Sequence, residues 1–115
     1  MTFPGIYNFP YYLGDTYIFV LHPKNSDGTP FDLSGYTAKF FIADRRGVLG
    51  VQHEAQAIVD SVNSKITCTI LPGVGRSLSA GSFLYDVEIK AGIENILTIA
   101  TGSISITSDI AGAVI

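Results

Sequence analysis

Tryptophan is absent, cysteine occurs once, and only 15% of the 115 residues are charged. Average soluble domains carry roughly 25% charged residues, so this surface cannot be clothed in charge alone. The chain is 47% hydrophobic, and part of its apolar surface is expected to be covered by a partner. The single cysteine, Cys68, excludes an internal disulfide and a multi-cysteine metal site, and it fits folding in a reducing cytoplasm. Seven Lys and Arg against ten Asp and Glu leave a net charge of −3 with no basic run. That argues against nucleic acid, because neutralising phosphates takes clustered cations. Gly, Asp, Asn or Lys interrupts every apolar stretch short of the ~18 residues of a membrane span, so no membrane partner is expected. The opening Met1-Thr2-Phe3-Pro4-Gly5 lacks the basic segment that starts a signal peptide.

What the chain does have is glycine and short alternating runs. Its length suits one domain with a single core. Twelve glycines punctuate apolar stretches at short spacing, and no stretch keeps a helical period, which predicts an all-β domain. Residues 36–42 alternate, with Tyr36, Ala38, Phe40 and Ile42 against Thr37, Lys39 and Phe41. Phe83, Tyr85, Val87 and Ile89 alternate with Leu84, Asp86, Glu88 and Lys90, the clearest period-two strand. Ile66, Cys68 and Ile70 alternate with threonines, and a long strand is expected over 95–107, bent or bulged at Gly102. The inward set predicted from these parities is Phe40, Ile42, Ile66, Cys68, Ile70, Phe83, Tyr85, Val87, Ile104 and Ile106. Residues 16–22 are apolar on both parities, so both faces of that strand are expected to be covered. Asp27-Gly28 and Asp44-Arg45-Arg46-Gly47 read as turns, 48–62 as one or two short strands, and 72–80 as a loop with at most one helical turn. Seven or eight such strands fit two packed antiparallel sheets. The organisation expected is an aromatic arm over 1–13, a β-sandwich over 14–108 and an apolar tail over 109–115.

The order of these pieces is distinctive. Gly14-Asp15-Thr16, the Asp27-Gly28 turn, Asp32-Leu33-Ser34-Gly35-Tyr36-Thr37, Gly81-Ser82-Phe83-Leu84-Tyr85-Asp86 and Gly102-Ser103-Ile104-Ser105-Ile106 follow one another along the chain. This pattern resembles the small immunoglobulin-like β-sandwich proteins of tailed-phage virions: collar and lateral-tail-fibre attachment proteins and minor tail proteins. The resemblance implies an immunoglobulin-like antiparallel sandwich and a non-enzymatic structural role in a virion assembled in the host cytoplasm. Its partners would be other virion proteins and further copies in a ring or array. A capsid decoration or head–tail connection protein is the alternative within that class. A carbohydrate-binding module for host recognition is the alternative from another class.

No catalytic, metal or cofactor site is expected. His22 and His53 stand alone, Asp and Glu are scattered singly, and Cys68 lies on a core parity. There is no Gly-x-Ser-x-Gly elbow, and Gly73-Val74-Gly75-Arg76-Ser77 lacks the Gly-Lys-Ser/Thr end of a phosphate loop. Arg45-Arg46 reads as a solvated turn, and Asp86, Glu88 and Lys90 as an ordinary polar face. The candidate site is an interface. Tyr7, Phe9, Tyr11 and Tyr12 in the arm are of the types that anchor protein contacts, and three tyrosines also keep the carbohydrate alternative open. Phe41 and Leu84 occupy positions where a solvated sheet face would be polar. They are expected to form an outward patch, extended by Leu97 and Ile99.

Overall fold

A computed structural model describes residues 5–44, 52–93 and 95–107. Its elements, in chain order, are β1 (Gly5–Ile6), β2 (Phe9–Tyr12), β3 (Tyr17–Leu21), β4 (Thr37–Ala43), β5 (Gln52–Asp60), β6 (Lys65–Ile70), α1 (Pro72–Ser77), β7 (Gly81–Ala91) and β8 (Asn95–Thr107). The protein is all-β, as the alternating runs predict. The strands form one mixed sheet in the order β1-β8-β7-β4-β5-β6-β3, with β2 also paired to β8. The expected pair of antiparallel sheets is thus a single hydrogen-bonded ladder. Its one parallel element is the arm, since β1 and β2 both run parallel to β8.

The sheet turns its corner at β5. The first half of this strand pairs with β4 (Ala55 opposite Phe40), and the second half pairs with β6 (Gln56 opposite Thr69). Changing neighbours partway along lets the sheet curl until its ends face each other. Phe19 of β3 meets Phe9 of β2, Phe40 of β4 and Tyr85 of β7, with ring centroids 5.3, 5.4 and 6.0 Å away. The seam between the end strands is therefore closed by aromatic side chains instead of backbone bonds.

Every predicted core residue is buried, and Phe40, Ile42, Ile66, Cys68, Ile70, Val87 and Ile104 are fully so. β4 and β7 are neighbours, with Phe40 opposite Val87 and Ile42 opposite Tyr85. Burying side chains of this size contributes about 1.5–3 kcal/mol each before conformational entropy is charged. Leu33, held between the Asp32 turn and Tyr36, supplies a further core contact from the loop after β3.

Three local expectations change. Of the 48–62 span, the described residues 52–62 hold one strand, β5, which at nine residues is longer than the short strands expected. Residues 72–77 form a short helix begun by Pro72, whose fixed φ suits a first helical turn. The ladder irregularity lies between Val87 and Glu88, opposite Ile99, and not at Gly102. Gly102 instead makes room for the arm, since a Cβ there would overlap the carbonyl oxygen of Tyr7. The Arg45-Arg46 turn and the 109–115 tail lie outside the described residues.

Candidate functional site

The polar side chains most suggestive of chemistry are engaged structurally. Ser77 donates its hydroxyl to the carbonyl of Val74 at 2.6 Å and lies 3.2 Å from Nδ1 of His53. A serine nucleophile must donate its proton to the histidine. Here the proton goes to a backbone carbonyl, so the pair fastens the end of α1 to β5. Cys68 is buried on the inner face, and burial pushes its thiol pKa up to about 12, the opposite of an activated thiolate. Thr101 donates to Asp86 at 2.7 Å, and Glu88 stands opposite Lys39, which makes this the polar face expected. Among the described residues no three His, Cys, Asp or Glu side chains gather as a metal site. Gly75, in the glycine-rich stretch, packs against the Tyr11 hydroxyl, leaving no room there for a Cβ.

The aromatic arm is part of the domain. β2 sends Phe9 and Tyr11 inward, where they are buried, and turns Pro10 and Tyr12 outward. Phe9 stacks on Tyr17 at 4.6 Å and 6°. Tyr11 donates its hydroxyl to the carbonyl of Asp15 at 2.6 Å. Tyr7 stacks one ring face on Phe9 at 5.5 Å and shares a 3.0 Å hydroxyl contact with Tyr17. Burial, assisted by that contact, raises the Tyr17 phenol to about 12. Of the four arm aromatics named as interface anchors, Phe9 and Tyr11 are thus core residues, and only Tyr7 and Tyr12 expose substantial surface. The reason is the pairing with β8, which gives the arm a strand's alternation and hence an inner face.

Phe41 and Leu84 do point away from the core on neighbouring strands, but both are only half-exposed. Phe41 is flanked by Glu54 and Asp86, and Leu84 by Ala43 and Ser103. Leu97 and Ile99 do not extend this patch. The irregularity at Val87/Glu88 resets the register of β8, so Leu97 packs against the core and Ile99 is buried.

The open apolar surface lies at the other end of the sheet. Outward on β3, Ile18 is 59% exposed and Val20 44%, and outward on β5, Ile58 is 55% exposed. Register sets Val20, Thr67 and Ile58 in one row across β3, β6 and β5, with Ile18, Thr69 and Gln56 in the next. The signal was present as the two-sided apolar character of residues 16–22; Ile18 and Val20 on the second face are exposed, contrary to the expectation that both faces are covered. A groove of about 300 Å³ runs between Ile6 and Tyr7 of the arm and the Leu21–Lys24 segment.

No protein-family model matches the chain, and no curated protein matches it. Among solved structures it is similar to a family 123 glycoside hydrolase from Clostridium perfringens, described for glycolipid glycan hydrolysis. The identity is 12%, the TM-score 0.43, and the match covers 91% of this chain and 23% of that one. The chain spans about a quarter of that enzyme's length. A likeness this distant carries over neither a fold assignment nor an activity.

Proposed function

We propose that this chain is a non-enzymatic structural domain acting through protein–protein assembly, and that its setting is the virion of a tailed phage. A tail position at the collar, tail tip or fibre attachment is the first choice. A capsid decoration or head–tail connection is the alternative. The observation that carries the assembly reading is the outward row of Val20, Thr67 and Ile58 with Ile18 beside it. On a sheet face meant for water, these positions would be polar. An uncharged apolar cluster on a chain with so few charges is the surface that a partner covers. The order of turn and strand motifs supports the virion setting.

A sugar platform is less well supported, because Tyr11 is in the core and Tyr7 already spends one ring face on Phe9. The test is to look for the chain by mass spectrometry in purified particles, with copy number, and to repeat this with Ile58→Lys. Ile58 is exposed, so the variant should melt as the parent does while its incorporation falls. Absence of the parent chain from particles would remove the virion reading. Unchanged incorporation of a folded Ile58→Lys chain would remove this face from it.

A further inference from the structure

We propose that β3 pairs antiparallel with β3 of a second copy across a two-fold axis at Phe19, extending the sheet from one subunit into the next. This rests on the assembly reading and names the partner of that same surface. β3 ends the sheet: among the described residues its backbone is laddered only to β6, and the arm across the seam meets it through side chains alone. Folded proteins blunt such edges with Lys, Pro or a bulge. β3 reads Tyr-Ile-Phe-Val-Leu, with no charge, no proline and an unbroken register.

Its sequence is also self-complementary. With Phe19 opposite its symmetry mate, Ile18 lies across from the second copy's Val20, and Val20 across from its Ile18. Tyr17 lies across from Leu21. The outward pairs are β-branched on both sides, a favourable cross-strand combination, and no residue of the strand meets a like charge. Beyond the strand, Asp15 comes within one register step of the second copy's Lys24, and the two-fold repeats this at the far end. Both residues are exposed. Opposite charges thus flank an uncharged centre, which favours this register and a second copy over an unrelated apolar segment. The outward row then runs on from Ile58 through Val20 into the neighbouring subunit. A five-residue edge falls short of the ~1,600 Å² buried by a standard stable interface, so the dimer is concentration-dependent and gains strength where copies are already arrayed.

Sedimentation velocity over a wide concentration series provides the test, using the whole chain, an Ile18→Lys/Val20→Lys double variant and an Ile18→Glu/Val20→Glu double variant. Both positions are exposed, so melting should be unchanged. The parent should dimerise, each double variant should self-associate roughly tenfold more weakly or not at all, and mixing the two variants should restore a dimer. If the charged variants do not fold, Ile18→Thr/Val20→Thr keeps strand propensity and should weaken the dimer in the same sense. A parent that stays monomeric, or a folded lysine variant that dimerises like the parent, overturns the pairing. A monomeric parent that still enters particles overturns the pairing alone. A parent dimer that dissociates on the lysine substitutions but never enters particles upholds the pairing and removes the virion setting.

Discussion

The hydroxyl of Tyr85, on β7, donates a 2.5 Å hydrogen bond to the backbone carbonyl of Tyr7, which lies between β1 and β2. This bond spans 78 positions of sequence and ties the arm to the centre of the sheet. It is one of three fastenings at the same place. Gly102 clears space for the Tyr7 carbonyl, and the Asn8 side chain accepts from the Ser103 amide at 2.9 Å. Between Ile6 and Phe9 the ladder with β8 is interrupted, and the Tyr7 carbonyl is satisfied from inside the core.

Tyr85→Phe should therefore destabilise the domain by about 1–3 kcal/mol, the cost of leaving a buried backbone acceptor without its donor. Chemical denaturation would measure it. The ring stays, so packing against Phe9 and Phe40 should be retained. A neutral result would mean that water takes over the Tyr7 carbonyl.

Gly102→Ala tests the same junction from the other side. The added methyl would displace the Tyr7 carbonyl, and overpacking of this kind costs about 1–3 kcal/mol. Hydrogen exchange should accelerate first at the Tyr7, Tyr11 and Leu13 amides, ahead of β4 and β7. Uniform acceleration throughout the sheet would show that the arm does not open separately.

Adjacent phenylalanines on β4 give a parity test. Phe40 is fully buried, whereas Phe41 is half-exposed between Glu54 and Asp86. Phe40→Ala should cost about 3–5 kcal/mol, a large part of the stability of a domain this size. Phe41→Ala should cost clearly less, about 1 kcal/mol. Equal losses measured by thermal unfolding would contradict the register.

Alkaline pH should open the fold through its tyrosines. Burial raises the phenol pKa of Tyr11, Tyr17 and Tyr85 above the ordinary value of 10.0, that of Tyr17 to about 12. A pKa raised in the folded state favours folding as long as the unfolded phenol is neutral. The contribution is intact below about pH 10 and is lost as pH rises from there through about 12. Tyrosinate absorbance should lag behind that of the unfolded chain and then rise together with loss of structure. Early titration of all six tyrosines with the fold intact would contradict the packing.

Cys68 should stay unreactive toward a thiol reagent until the domain unfolds, because it is fully buried and its thiol is held protonated. Labelling would then report global opening. Fast labelling of folded protein would place Cys68 near the surface and require a different register for β6.

Much of this architecture follows from local pattern. Alternation along 36–42, 66–70 and 83–89 determined which side chains face inward, because a strand's side-chain period is two whatever its neighbours are. The Asp27-Gly28 turn was legible for a similar reason: Gly28 adopts φ 90, and the Asp27 carboxylate accepts from the Thr29 amide at 3.0 Å. Alternation says nothing about which strand lies alongside. The parallel seat of the arm on β8, the change of neighbours along β5 and the place of β3 at the end of the sheet depend on contacts between residues far apart in sequence. Those same contacts decided the interface residues. Phe9 and Tyr11 became core because β8 gave the arm an inner face, and Leu97 and Ile99 turned inward because of a one-residue irregularity in β8. Ile18, Val20 and Ile58 were left outside because the curled sheet has only one interior, and aromatic side chains already fill the seam between its ends.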